Sequence, residues 1–161
     1  MFGLLLHEVI AVFKKIMVAT DGSETSTRTA KLAVGLAKLA GGSVAAIYVV
    51  DIFRLSKLPG YTTLPGISER LMELMLKEAE TATSEVGEMA TNAGVPFEKI
   101  VAEGNPSEEI LRQSSESGMD LLLMGSIGRT GLEKLMLGSV AEKVVRHSKI
   151  PVLIVPGIYK R

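Results

Sequence analysis

Five short apolar runs, each closed by a turn signal, constrain this chain more than any other feature. They are KKIMVAT (14–20), SVAAIYVV (43–50), FEKIVA (97–102), DLLLM (120–124) and IPVLIV (150–155). Each has the length of a buried strand, and the segments between them change period. Ala30, Ala33, Val34, Ala37, Leu39 and Ala40 recur at helical spacing until Gly41-Gly42. A long helix is expected from about Ser68 to Asn92, with Leu71, Met72, Met75, Ala79, Ala82, Val86 and Met89 on one face and Gly94 as its stop. Asn105-Pro106-Ser107-Glu108 starts another helix, which runs to Gly118: Asn caps, Pro takes the first position, and acids fill the first turn. Val140 to His147 is the last helix, and residues 51–66, with Pro59, Gly60, Pro65 and Gly66, read as a loop.

The resulting order is β-α-β-α-β-α-β-α-β. Near-continuous apolar strands are buried on both faces, which calls for a parallel sheet with helices on each side. Right-handed crossovers favour an open, doubly wound five-stranded α/β domain. In such a sheet the ligand crevice lies beyond the carboxyl ends of the strands, where the winding reverses. Asp21, after the first strand, and Gly125, after the fourth, are the candidates for that place.

The chain has 161 residues, 47% of them hydrophobic, which suits one domain with one real core. Its 18 basic and 18 acidic side chains form no long run of one sign, so electrostatic capture of nucleic acid or of an anionic membrane is not expected. Cysteine is absent, which excludes disulfides and thiolate chemistry and fits a reducing cytoplasm. With no tryptophan and 4% aromatic residues, a base-stacking platform is not expected either. Residues 1–13 (MFGLLLHEVIAVF) form an apolar extension ahead of the α/β domain at 14–157. His7 and Glu8 interrupt it, it is far shorter than the roughly 20 residues of a membrane span, and it lacks the basic start of a signal peptide. It reads as an extra helix or strand that covers the domain or a partner subunit.

The segment MGSIGRTGLEKLMLGSV joins the fourth strand to the last helix, with the spacing Gly125-x-x-Gly128-x9-Gly138-Ser139. Glycines after a strand permit positive φ and let N–H groups approach an anion. A helix opening at Ser139 adds unpaired N–H donors and the positive end of its dipole. Ser126 and Arg129 supply a hydroxyl and a charge at the rim. This is neither a Walker A loop nor the G-x-G-x-x-G fingerprint. On spacing alone the loop reads equally well as a phosphate cradle or as a plain turn. Ser139-x-x-Glu142 is also a capping box that needs no ligand.

The glycine motif after a strand ending in Met124-Gly125, together with V-A-T-D-G-S (18–23) and P-V-L-I-V-P (151–156), resembles the universal stress protein family. The resemblance covers about Lys14 to Pro156 and implies a Rossmann-like domain of the adenine nucleotide alpha hydrolase type. It also implies ATP as ligand, because the full motif marks the family's ATP-binding members. Asp21 would contact the ribose hydroxyls or a phosphate-bound Mg2+, Ala19 would line the adenine slot, and Val49 would offer its backbone to the adenine edge. Gly125 would touch the ribose and α-phosphate, while Ser126, Gly128, Arg129, Thr130, Gly138, Ser139 and Val140 would surround the phosphates. Two positions depart from the common pattern: Ala19 stands where many relatives have proline, and Ile127 stands where histidine is frequent, which removes a polar phosphate contact. The resemblance further implies a homodimer formed through the strand at 150–155.

Simpler readings exist for several of these residues. Asp21 can cap the following helix. His147, beside Arg146 and Lys149, complements a helix C-terminus, and Glu108 and Glu109 complement a helix N-terminus. The eight methionines fall mostly at core helix positions, and His7 is isolated. Beyond Asp21 there is no evident general base, nucleophile or metal cluster, so rapid catalysis is not expected. The leading expectation is a cytoplasmic ATP-binding regulatory protein of the stress response, whose nucleotide state an unknown protein partner reads. A slow Mg-dependent ATPase is the alternative, and a flavin or nicotinamide carrier is a third reading.

Overall fold

The computed structural model describes residues 12–61, 65–127 and 137–157. The elements run β1 (Lys15–Ala19), α1 (Glu24–Ala40), β2 (Ser43–Asp51), α2 (Ile52–Ser56), α3 (Ile67–Ala93), β3 (Phe97–Gly104), α4 (Pro106–Glu116), β4 (Leu121–Gly125), α5 (Ser139–His147) and β5 (Val152–Val155). The strands form one parallel sheet in the order β3-β2-β1-β4-β5. Winding proceeds outward from β1 in one direction to β3, then restarts at β4 in the other. The reversal therefore falls between β1 and β4, at the place expected for Asp21 and Gly125.

Alternation along each strand sorts the core into two layers. Ile16, Val18, Val44, Ala46, Leu121 and Leu123 face α1, which contributes Ala30, Ala33, Val34 and Ala37, and α3, which contributes Val86 and Ala90. Met17, Ala45, Ile47, Leu122 and Met124 face the other way, toward Ile110 of α4 and Ala141 and Val144 of α5. Ile16, Met17, Val18, Leu122 and Leu123 have no exposed surface. Each such side chain contributes about 1.5–3 kcal/mol of burial, so the central β1–β4 pair anchors the fold. Buried threonines stay satisfied inside their helices: Thr29 and Thr83 donate their hydroxyls to the carbonyls of Thr25 (2.8 Å) and Ala79 (2.7 Å).

Helix ends follow the expected chemistry. Gly41 (φ 62°) and Gly94 (φ 71°) end α1 and α3 in the left-handed conformation that glycine adopts freely. Three expectations need correction. Residues 52–56, expected as loop, form the short helix α2, because Asp51 at the end of β2 caps it, accepting from the Arg54 N–H at 2.9 Å. The third strand extends two residues past Ala102 to Gly104. It is not a near-continuous buried run either: it is the sheet's edge, and Glu98, Lys99, Val101 and Glu103 are exposed. The Ser139-x-x-Glu142 capping box does not form, because Gly138 is the N-cap and Ser139 already lies inside the helix.

Candidate functional site

The β1–α1 turn is wired internally. The Thr20 N–H donates to the Ile47 carbonyl (2.9 Å) and extends the β1–β2 ladder by one rung. The chain then swings through Gly22, whose φ of 74° suits glycine. The Ser23 side chain caps α1, accepting from the Ser26 N–H at 3.2 Å. Asp21 is therefore not the helix cap. Half-buried, it accepts the Ser23 N–H on Oδ1 at 3.0 Å, an Asx turn that holds the carboxylate at the mouth of the crevice.

Ala19 and Val49 share the layer of the core that faces α4 and α5, and Val140 packs against the same cluster. Ile47 turns its carbonyl toward β1, and β1 register ends at Ala19↔Ile47. Two residues further on, Val49 turns its N–H and C=O to that same side, where the strand has ended and the chain has left for α1. A backbone donor and acceptor thus face the crevice between β1 and β2.

Across the switch point, Ser126 clamps three segments together. Its N–H donates to the Val155 carbonyl (2.8 Å), its carbonyl accepts from the Gly138 N–H (2.7 Å), and its hydroxyl accepts from the Gly157 N–H (3.1 Å). The sequence reading placed this hydroxyl at a phosphate rim. The structure gives that oxygen a bracing bond to the segment after β5, and it is the Ser126 carbonyl that fixes the start of α5 against the end of β4. Gly125 and Gly138 also depart from expectation, because neither has positive φ. Glycine at 125 is required by closeness instead: a Cβ there would stand 2.7 Å from Thr25 Cγ2 and 3.3 Å from the Ile127 carbonyl oxygen.

Among the described residues no side chain caps α5, and its first backbone hydrogen bond runs from the Glu142 N–H to the Gly138 carbonyl (2.8 Å). The N–H groups of Ser139, Val140 and Ala141 precede that bond, at the positive end of the helix. Asp21, Ala19, Val49, Gly125, Ser126, Gly138, Ser139 and Val140 therefore gather at the carboxyl ends of β1, β2 and β4. Gly128, Arg129 and Thr130 lie outside the described residues.

Among the described residues no three His, Asp or Glu side chains are grouped as a metal site. The carboxyls held below their usual range lie elsewhere on α3, Glu69 by a backbone hydrogen bond and Glu80 by its bond to Lys99. An open trough of about 560 Å³ between α3 and β3, lined by Ser84, Glu88, Phe97 and Lys99 among others, is also remote from the crevice. It offers no converging backbone donors, and the switch point remains the candidate site.

Fold and crevice together define an open, doubly wound α/β domain with its switch-point crevice between β1 and β4. Residues 13–156 match the profile of the universal stress protein family. Universal stress protein MJ0531 of Methanocaldococcus jannaschii is 40% identical over 144 residues, covering 89% of this chain and 82% of the relative. Universal stress protein YxiE of Bacillus subtilis is 36% identical over 147 residues, covering 89% and 99%. The solved structure of the MJ0577 protein superposes with a TM-score of 0.80 at 28% identity, covering 92% of this chain and 99% of that one. The chain belongs to the universal stress protein family.

Proposed function

We propose that residues 14–157 bind ATP at the β1–β4 crevice and that the protein acts as a nucleotide-dependent regulator. The observation that carries this is the uncapped start of α5, held by Ser126 beside a glycine whose missing Cβ keeps the backbone close. Such an arrangement favours an anion. The sequence motif supplies the rest of the cradle, Gly128, Arg129 and Thr130, and Val49 and Ala19 supply the adenine end. Two proteins of the same fold have been solved as complexes, one universal stress protein with cAMP and one from Archaeoglobus fulgidus with dAMP. At 24% and 21% identity they share the fold alone with this chain, so the residue assignment rests on the motif and the geometry.

Asp21 fits a role on the ribose or on a phosphate-bound Mg2+, an ion that takes one or two carboxylates besides phosphate oxygens and water. No observation favours hydrolysis over binding, and the regulatory reading stands ahead of a slow ATPase. Calorimetric titration of the full chain with ATP, with and without Mg2+, tests the proposal: saturable binding strengthened by Mg2+ is expected, and no heat of binding in a folded protein contradicts it.

We also propose homodimerisation through β5. This strand is an edge of the sheet, and Leu153 is 38% exposed on it. An apolar edge with unpaired backbone groups invites pairing with another copy across a two-fold axis. Sedimentation should show a dimer, and a monomer at high micromolar concentration would end the idea.

A further inference from the structure

The sheet has two edges, and β3 is the longer, with 8 residues against 4 in β5. Its pairing with β2 fixes which of its backbone groups are left over. The Val44 N–H donates to the Pro96 carbonyl at 2.9 Å, and Val44 stands in register with Phe97. Along a parallel ladder, alternate residues turn both their N–H and their C=O to the same side. Glu98, Ile100 and Ala102 therefore bond toward β2, while Phe97, Lys99, Val101 and Glu103 point their backbone groups away from the sheet. Among the described residues, no other backbone segment bonds to these outward groups.

The side chains of the same four residues lie on the α3 side of the sheet. Phe97 packs against the layer under α1 and α3, and Lys99 pairs with Glu80 of α3. Ile100 packs into the opposite layer. Lys99, Val101 and Glu103 are exposed, Val101 over 37% of its surface. The open trough of about 560 Å³ lies beside Phe97 and Lys99, so α3 leaves the start of the edge uncovered.

A second copy laid antiparallel along β3 across a two-fold axis meets it in few registers, because only outward-facing residues can form the hydrogen-bonded pairs. With Val101 on the axis, Lys99 opposes the partner's Glu103 and Glu103 opposes the partner's Lys99. On the other face Ile100 opposes Ala102. With the axis at Ile100, Lys99 falls against Val101 and Glu103 against Phe97. With the axis at Ala102, Glu103 falls against Val101 and Lys99 runs past the end of the strand. Only the first register matches charge with charge and apolar with apolar, the pairs that stabilise antiparallel strands. Charged residues on an edge commonly keep strands apart. Here their signs and spacing select one partner register, that of an identical strand.

We propose that β3 is a homotypic docking surface, on which two copies join antiparallel with Val101 facing Val101 and Lys99 facing Glu103. The edge lies opposite β5, so this contact is separate from β5 pairing and from nucleotide binding, and an assembly of more than two copies can contain both edge contacts. Because the natural chain has no cysteine, a disulfide can report the contact without background. Directly opposed residues of a hydrogen-bonded antiparallel pair stand about 5.5 Å apart at Cα, within disulfide range. In the full-length Val101→Cys protein, mild oxidation should give a covalent dimer on non-reducing denaturing gels. Glu98→Cys should give none, because in this register the two copies of residue 98 lie about 20 Å apart. Lys99→Cys and Glu103→Cys should link when the two proteins are mixed, and neither should link alone. Equal linking at 98 and 101, no link at 101, or no link in the mixture overturns the proposal. Charge reversal gives a second readout. In the Val101→Cys background, Lys99→Glu should slow linking by roughly 10-fold or more, and Lys99→Glu/Glu103→Lys should restore it. Unchanged linking by Lys99→Glu, or no recovery in the double reversal, in proteins with the same circular dichroism would also overturn it.

Discussion

Helices α4 and α5 start at the same end of the sheet and cover the same face, yet their first turns are built in opposite ways. At α4, the Asn105 side chain accepts from the N–H groups of Ser107 (3.1 Å) and Glu108 (3.4 Å), Pro106 removes a donor, and Glu108 and Glu109 answer the dipole. Nothing is left for a ligand. At α5 the N-cap is Gly138, no side chain among the described residues reaches back, and Glu142 is the acid of the first turn. The first kind of helix start serves stability and the second leaves its donors for an external anion, since an unpaired N–H needs a partner of some kind. Helix α3 also begins at a glycine without a side-chain cap, but its start at Ile67 is not at the switch point.

The largest expected effect is that of Gly128→Val in the motif loop. In the proposed cradle, a side chain at this position costs of order 1–3 kcal/mol in backbone strain, and a lost charge-assisted hydrogen bond about 1.5–3 kcal/mol. ATP affinity should drop at least ~100-fold, at ~1.4 kcal/mol per tenfold, while the apo melting temperature stays near that of the natural chain. Normal affinity in a folded variant would remove the cradle from this loop.

Gly138→Asp converts the start of α5 into one like that of α4. With φ −60° and ψ 150°, position 138 accepts any L-residue without strain. The new carboxylate would cap the first turn and add a few tenths of a kcal/mol to stability, while occupying the donors that the proposed function assigns to phosphate. Calorimetry should show ATP affinity reduced roughly tenfold or more, the equivalent of ~1.4 kcal/mol. A stabilised protein with unchanged affinity would separate the helix start from the ligand.

The reverse experiment is Asn105→Ala. Loss of a cap that serves two N–H groups should cost about 1 kcal/mol in chemical denaturation, with ATP affinity unaltered. Smallest of all is Arg146→Ala, which breaks the exposed pair with Glu142 (2.9 Å) in the last turns of α5. Exposed i,i+4 pairs contribute about 0.3–0.5 kcal/mol, so neither the melting temperature nor the affinity should move appreciably.

Much of this comparison was legible in the sequence. Asn105-Pro106 announced a self-capped helix, because cap chemistry is local and needs no tertiary context, whereas Gly138-Ser139 left the start of α5 open to two readings, free donors or a capping box. The doubly wound parallel sheet, and the first and fourth strands as the place of its reversal, followed from five apolar runs and the handedness of crossovers. What was not legible depended on neighbours distant in sequence. Glycine at 125 answers Thr25, a hundred residues earlier, rather than any local φ requirement. The Ser126 hydroxyl answers Gly157. The capping box at Ser139 failed because Ser126 holds Gly138 by its N–H and fixes the helix start one residue earlier. Strand β3 reads as apolar over Ile100, Val101 and Ala102 but lies at an edge, where Val101 stays exposed.

Amide hydrogen exchange on the full chain, with and without MgATP, tests the central claim most directly. The account predicts new protection at Ser139, Val140 and Ala141 on nucleotide addition, with Ser107 and Glu108 of α4 unchanged because Asn105 already holds them. Saturation with ATP that protects neither helix start, or both equally, would contradict it.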